Sequence, residues 1–331
     1  MMSFVYLVFM FMGTIISLTS SSWFLVWLGL EMNMMGFIPF VGVKNQVISE
    51  AVFKYFLIQV VGSLMLFIIG LIGSLGWGYW FFVYDTFLGG GVIVFISALK
   101  LGASPFHYWF LAVSENLDWV SLFMLMTWQK FAPLGLIIVS GWSVVSVFII
   151  GVSSVIIGGF GGFNQLLMKR LMAYSSVSHL GWMVVLIIFS WGVGLFYYFM
   201  YILVSLSVVL YFWGSGYEHV GQMSYNVWLN YLVFGGFCLS LFSLGGLPPF
   251  LGFCPSWVGL ILMLEEGYFW LGFGFVLLGL TTLYFYLRLG YSLMLGSLSG
   301  GVWGFGGSVG FLSGVFGVLT LVFMPFIIFF I

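Results

Sequence analysis

The chain has 331 residues, 63% of them hydrophobic and 5% charged, with a mean hydropathy of +1.25 and a net charge of −1. Soluble globular domains carry about 25% charged residues, so a soluble enzyme is excluded and an integral membrane protein is indicated. Seven basic residues set against eight acidic ones cannot assemble a polybasic face, so nucleic acid is excluded as a partner.

In chain order, 1-MMSFVYLVFM-10 shows neither a basic n-region nor an Arg-rich presequence. A membrane span needs about 20 apolar residues. Such runs occur near 4–20, 22–41, 51–73, 86–112, 118–139, 142–162, 172–190, 193–213, 227–264, 268–289 and 309–331. The expected fold is therefore all-α, a polytopic membrane protein of about eleven transmembrane helices. A closed barrel is disfavoured because the apolar residues run continuously instead of alternating.

Two runs are overlong and carry proline mid-segment: 86–112 around Pro105, and 227–264 around Pro248 and Pro249. Proline removes a backbone donor and clashes with the preceding turn, so both helices should be broken there. A break in the fourth and again in the ninth helix gives two five-helix repeats, and the odd offset makes them inverted. The expected repeats are 1–139 and 142–289, with a separate C-terminal helix at 309–331. Lys44, Lys169, Arg170 and Arg288 then share one membrane face, and Asp85, Glu265 and Glu266 the other, which puts the first face on the cytoplasmic or matrix side.

Three ionisable residues lie too deep to be loop groups. Glu31 sits in 22-SWFLVWLGLEMNMMGFIPF-40, about nine residues or roughly 14 Å from either end of its span. Lys100 lies inside the fourth segment, and Lys130 in the middle of 119-WVSLFMLMTWQKFAPLGLIIV-139. Each costs about 2.5 to 3.5 kcal/mol to insert, so a functional role is the default reading. Ser97, Lys100, Ser104 and His107 fall at i, i+3, i+7 and i+10, which lines one helix face if the helix continues past Pro105. His107 reads either as a relay or as a buried histidine bonding a freed carbonyl. Low dielectric disfavours an isolated ammonium, and a nearby carboxylate restores it, so Glu31 and Lys100 together would form a proton-affinity switch with Lys130 as the next relay. His179, with Ser175 and Trp182 on one face of 172-MAYSSVSHLGWMVVL-186, is a relay candidate or an interhelical hydrogen-bond partner.

Elsewhere the sequence is bland. Lys54 can snorkel and pair with Glu50 at i, i+4. Cys238 and Cys254 stand in apolar stretches with no ligand set around them, 77-WGYWFFVY-84 suits an interfacial belt, and 297-SLSGGVWGFGGSVG-310 suits a flexible connector.

The segments 22-SWFLVWLGLEMNMMGFIP-39, 50-EAVFKYFLIQ-59, 99-LKLGASPFHYW-109, 127-TWQKFAPL-134, 162-GFNQLLMKRLMAYSSVSHLGWM-183 and 246-GLPPFLGFCPSW-257 carry a specific resemblance. Together they resemble the subunit 2 family of mitochondrial NADH:ubiquinone oxidoreductase, respiratory complex I, in collinear order from about residue 20 to 290. The resemblance implies an antiporter-like, proton-pumping core subunit of the membrane arm, in the multi-pass setting of the mitochondrial inner membrane. It implies that Glu31, Lys100 and Lys130 match the family's embedded glutamate, broken-helix lysine and central lysine. It also implies that no cofactor is bound by this chain: NADH, FMN, iron–sulfur clusters and ubiquinone are expected elsewhere in the complex. Other membrane-arm subunits, including an adjacent antiporter-like one, and phospholipid would be the partners. The chain departs from the family pattern at Ser256, where 254-CPSW-257 lacks the usual lysine, so proton exit is expected through water or a neighbouring subunit near Ser256. The rival readings are a free-standing cation/proton antiporter and a passive membrane scaffold.

Overall fold

A computed structural model describes residues 2–42, 45–77, 87–139, 143–223, 231–296 and 317. Lys44, Asp85, most of the 77–84 belt, the 297–310 connector and the expected helix at 309–331 lie outside the described residues. Among those described, the chain is α-helical, with one isolated antiparallel bridge between Leu167 and His219. Seven helices are long and apolar enough to cross a membrane, and four shorter apolar ones accompany them. This is the polytopic all-α architecture that continuous apolar runs dictate, since helices satisfy their own backbone groups in lipid. Large side chains such as Phe53, Leu57, Phe199 and Leu203 are exposed, as lipid permits.

Two compact units divide the chain, residues 1–153 and 154–331. The first holds α1 (Met2–Thr19), α2 (Trp23–Val41), α3 (Gln46–Trp77), α4 (Phe87–Leu101), α5 (Tyr108–Asn116), α6 (Trp119–Met126) and α7 (Trp128–Val139). α8 (Val144–Gly161) carries the division. The second holds α9 (Met168–Phe189), α10 (Trp191–Ser215), α11 (Val220–Met223), α12 (Tyr231–Leu244), α13 (Phe253–Glu265) and α14 (Phe269–Gly296).

Small residues decide how closely α1 and α2 approach. A Cβ on Gly13 would lie 2.5 Å from the Asn33 amide, and one on Gly29 would lie 2.6 Å from the Ser17 amide. The two backbones therefore touch along a seam that only glycine admits, the usual basis of tight helix pairing in lipid.

Each unit contains an interrupted helix, and the two interruptions share one construction. α4 ends in a Schellman cap: Ala103 N donates to Ala98 O at 3.0 Å, and Gly102 N to Leu99 O at 3.3 Å. Gly102 adopts φ +68°. α12 ends the same way, with Leu247 N donating to Phe242 O, Gly246 N to Ser243 O, and Gly246 at φ +75°. Glycine takes up the left-handed cap at little cost. Pro105 follows the first cap, after a cis Ser104–Pro105 bond, and Pro248 and Pro249 follow the second.

The segment 118–139 is not one continuous helix. α6 stops at Met126, Thr127 departs from helical geometry at φ −113°, ψ −84°, and α7 begins at Trp128. Pro133 cannot donate to the Gln129 carbonyl, which weakens the first turns of α7. The chain breaks just before them instead of at the proline.

Candidate functional site

In the first unit, α3 is the element that brings the embedded charges together. The Ser63 hydroxyl donates to Glu31 Oε1 on α2. The same hydroxyl lies 2.9 Å from the Val60 carbonyl of its own helix, so its single proton can serve either acceptor. One position earlier, Gly62 faces the Lys100 stem: a Cβ there would lie 3.1 Å from Cγ and 3.2 Å from Cε. One turn back, Gln59 Nε2 donates to the Lys100 carbonyl at 3.1 Å. Gln59, Gly62 and Ser63 occupy i, i+3 and i+4, one face of α3.

Lys100 is 5% exposed and Glu31 half-buried. The Glu31 carboxylate acts electrostatically on Lys100 and on the Tyr55 hydroxyl. No contact ion pair joins Glu31 to Lys100 among the described residues, in contrast to the surface pair Lys169–Glu218 at 3.0 Å. A charge couple held apart in this way responds to small movements of α2 or α4, because Coulomb energy in a low dielectric changes steeply with distance.

A neutral polar chain runs beside the couple. The Tyr55 hydroxyl donates to Gln129 Oε1 at 3.0 Å, and Gln129 Nε2 donates to Asn33 Oδ1 at 3.2 Å. It ties α2, α3 and α7 together one residue from Lys130. Lys130 itself is 2% exposed, and its ammonium lies 5.0 Å from the centre of the Phe110 ring, a cation–π contact. Phe110 in turn closes the first break, since a Cβ on Gly102 would lie 2.6 Å from Phe110 Cβ. One aromatic ring thus touches both Lys130 and the break.

The polar stripe expected from Ser97 through His107 does not extend along one helix. It ends with Lys100, because the chain leaves the helix at Gly102. Ser104 lies buried in the break, and its carbonyl accepts from Ser153 Oγ at 3.3 Å. His107 caps α5, buried, with Nδ1 3.3 Å from the Pro105 carbonyl. The Leu99 carbonyl, which already accepts from Gly102 N in the cap, also accepts from Trp109 Nε1 at 3.0 Å. Broken backbone at membrane depth is thereby satisfied within protein. Lys54 is exposed and forms no ion pair with Glu50, so the expected i, i+4 pair is absent.

In the second unit, His179 on α9 shares a 2.9 Å hydrogen bond between Nδ1 and the Tyr197 hydroxyl of α10. His179, Tyr197 and Ser256 line a cavity of about 250 Å³ that follows the second break from Leu244 to Phe253. Ser256 is half-buried and donates to its own helix at Phe253 O, 2.8 Å away. At one end of this unit Arg288 clamps the Phe163 and Gln165 carbonyls at 2.6 and 2.9 Å, beside the Lys169–Glu218 pair. Cys238 and Cys254 are buried thiols.

Sequence reasoning found the charges but missed Ser63, Gln59, Tyr55, Gln129 and Asn33. Their one signal was that Tyr55, Gln59 and Ser63 recur on one side of an apolar run, a spacing that ordinary interhelical packing also produces.

The family described as "NADH:quinone oxidoreductase/Mrp antiporter, TM" matches residues 20–283. The NADH-ubiquinone oxidoreductase chain 2 of Anopheles gambiae is 38% identical over 299 residues, 88% of this chain and 85% of that one. The protein of the same name from Oryctolagus cuniculus is 35% identical over 287 residues, 86% of this chain and 83% of that one. Among solved structures, a chain of respiratory complex I from Thermus thermophilus aligns with a TM-score of 0.86 at 18% identity, covering 98% of this chain and 78% of that one. A chain of the Mrp complex from a Dietzia species aligns at 0.83 with 16% identity, covering 97% and 74%. At such identities the structural likeness establishes the fold.

Proposed function

The chain belongs to the NADH:quinone oxidoreductase/Mrp antiporter transmembrane family, among its NADH-ubiquinone oxidoreductase chain 2 proteins, and we propose that it translocates protons as a membrane-arm subunit of respiratory complex I in the mitochondrial inner membrane. The observation that carries this reading is the arrangement around α3, where Ser63 holds Glu31 while Gly62 and Gln59 hold Lys100. A half-buried acid and a buried base thus face each other in lipid-depth segments, coupled but not fused into a contact pair. A structural ion pair would be expected to close; a proton switch needs the gap. Movement that brings Glu31 toward Lys100 favours the ammonium, and withdrawal releases the proton toward Lys130. The Ser63 proton, able to turn between Glu31 and Val60, offers a short link in that exchange.

The redox groups belong to other chains of the complex in this reading, with an adjacent antiporter-like subunit and phospholipid as neighbours of this one. The two-repeat organisation, 1–139 and 142–289, belongs to the same proposal, supported by the identical capping of the two breaks. Exit on the second unit would run through water at Ser256 in place of a lysine. The test is Lys100→Met and, separately, Lys130→Met in the intact complex reconstituted into vesicles. Each should lower the protons moved per electron; an unchanged ratio in both would leave the passive-scaffold reading standing.

A further inference from the structure

Gln129 stands at the start of α7, one residue before Lys130, where backbone support is weak. Thr127 departs from helical geometry on one side, and Pro133 leaves the Gln129 carbonyl without its usual intrahelical donor on the other. Side chains must therefore fix this turn, and that of Gln129 reaches three other helices. Its Nε2 donates to Asn33 Oδ1 on α2 at 3.2 Å and to Met10 Sδ on α1 at 3.5 Å, while its Oε1 accepts from the Tyr55 hydroxyl on α3 at 3.0 Å. Both amide protons and the amide oxygen are thus engaged. The partners are fixed in turn: Met10, Asn33 and Tyr55 are buried, and the Tyr55 ring packs 4.9 Å from Phe37 and 6.0 Å from Trp109. Trp128, the residue before, adds an edge-on contact to Phe11 of α1 at 4.2 Å between centroids.

We infer that Gln129 is the positioning residue for Lys130: its side chain pins the first turn of α7 to α1, α2 and α3, and so sets where the Lys130 ammonium stands. Successive helical residues do not face one another, so the effect passes through the shared backbone turn and not by contact between the two side chains. Lys130 meets Phe110 on another side of α7. The far ends of the strut lie beside the charge couple. Asn33 follows Glu31 by two residues on α2, and Tyr55 shares one side of α3 with Gln59 and Ser63, which bond the Lys100 carbonyl and Glu31. A shift of α2 or α3 that opens or closes the gap between Glu31 and Lys100 therefore pulls on Gln129, and through it on Lys130. The link is positional: the strut transmits displacement, and no proton has to pass along it. It rests on the proton-translocating reading above, to which it adds a means for the couple and Lys130 to move together.

The test uses the intact complex reconstituted into vesicles, with protons moved per electron measured at matched assembly. Gln129→Leu keeps the bulk and removes all three polar contacts. It should lower the proton-to-electron ratio by as much as Lys130→Met does and slow coupled turnover by about tenfold. The double variant, Gln129→Leu with Lys130→Met, should have the same ratio as Lys130→Met alone, because Gln129 acts through Lys130, whereas a general packing defect would add to the loss. Tyr55→Phe keeps the ring against Phe37 and Trp109 and removes only the hydroxyl; it should lower the ratio in the same direction and serves if Gln129→Leu fails to assemble. A parent-like ratio in the assembled variant, or a further loss in the double variant, would overturn the inference. Lys130→Met by itself separates the two claims: a lowered ratio there, with Gln129→Leu unaffected, sinks the strut alone, whereas no change in either sinks the translocation reading as well.

Discussion

Lys100 owes its position to an absence. Its stem lies against Gly62, where an added Cβ would stand 3.1 to 3.2 Å from Cγ and Cε, and its far end is the flexible part that must yield. Gly62→Val should therefore displace the ammonium without touching any ionisable group. Proton-coupled turnover is expected to fall about tenfold while electron transfer in uncoupled membranes stays near the parent rate. Parent-like coupling would show that Lys100 does not depend on this seat. Glu31, Lys100 and Lys130 were legible in the sequence because a charge in an apolar run is costly wherever it lies, so the inference needs no neighbours. Ser63 was not legible: a serine in a membrane helix ordinarily turns its hydroxyl to a carbonyl of its own helix, as Ser240, Ser243 and Ser256 do here.

Among elements, the two Schellman-capped breaks have direct energetic content. Gly102 at φ +68° sits against Phe110, with only 2.6 Å between an added Cβ and Phe110 Cβ. Gly102→Ala should cost about 1 to 2 kcal/mol for the left-handed backbone and a further 1 to 3 for the overlap. Thermal inactivation of the assembled complex should shift downward, and because Phe110 also carries Lys130, coupling should weaken before assembly is lost. Unchanged stability would mean that the break relaxes freely. Pro105, Pro248 and Pro249 could be tied to interruptions from sequence, since proline acts on its own helix. The interruption at Thr127 could not, because Pro133 only weakens the turn and the helix gives way well ahead of it.

The whole molecule consists of two compact units, each with its own broken helix and its own polar centre: a glutamate–lysine couple in one, a histidine–tyrosine pair beside a cavity in the other. If the chain serves as one pump within a larger redox assembly, it should co-migrate with flavin- and iron–sulfur-containing subunits on mild detergent extraction and should not exchange cations for protons alone in vesicles. Migration by itself, with such exchange, would favour the free-standing antiporter.

The sequence by itself determined that this chain lives in a membrane, that it is helical, where two helices break, and which three charges are out of place. Each of these follows from a local rule: the cost of polar groups in hydrocarbon, or the missing donor of proline. Only the tertiary structure decided that α3 stands between Glu31 and Lys100, that Phe110 joins Lys130 to a break, and that Ser256, His179 and Tyr197 share a cavity. Those pairings link residues 18 to 77 positions apart, set by how helices pack side by side, and lipid supplies no local signal to the chain about which faces will meet.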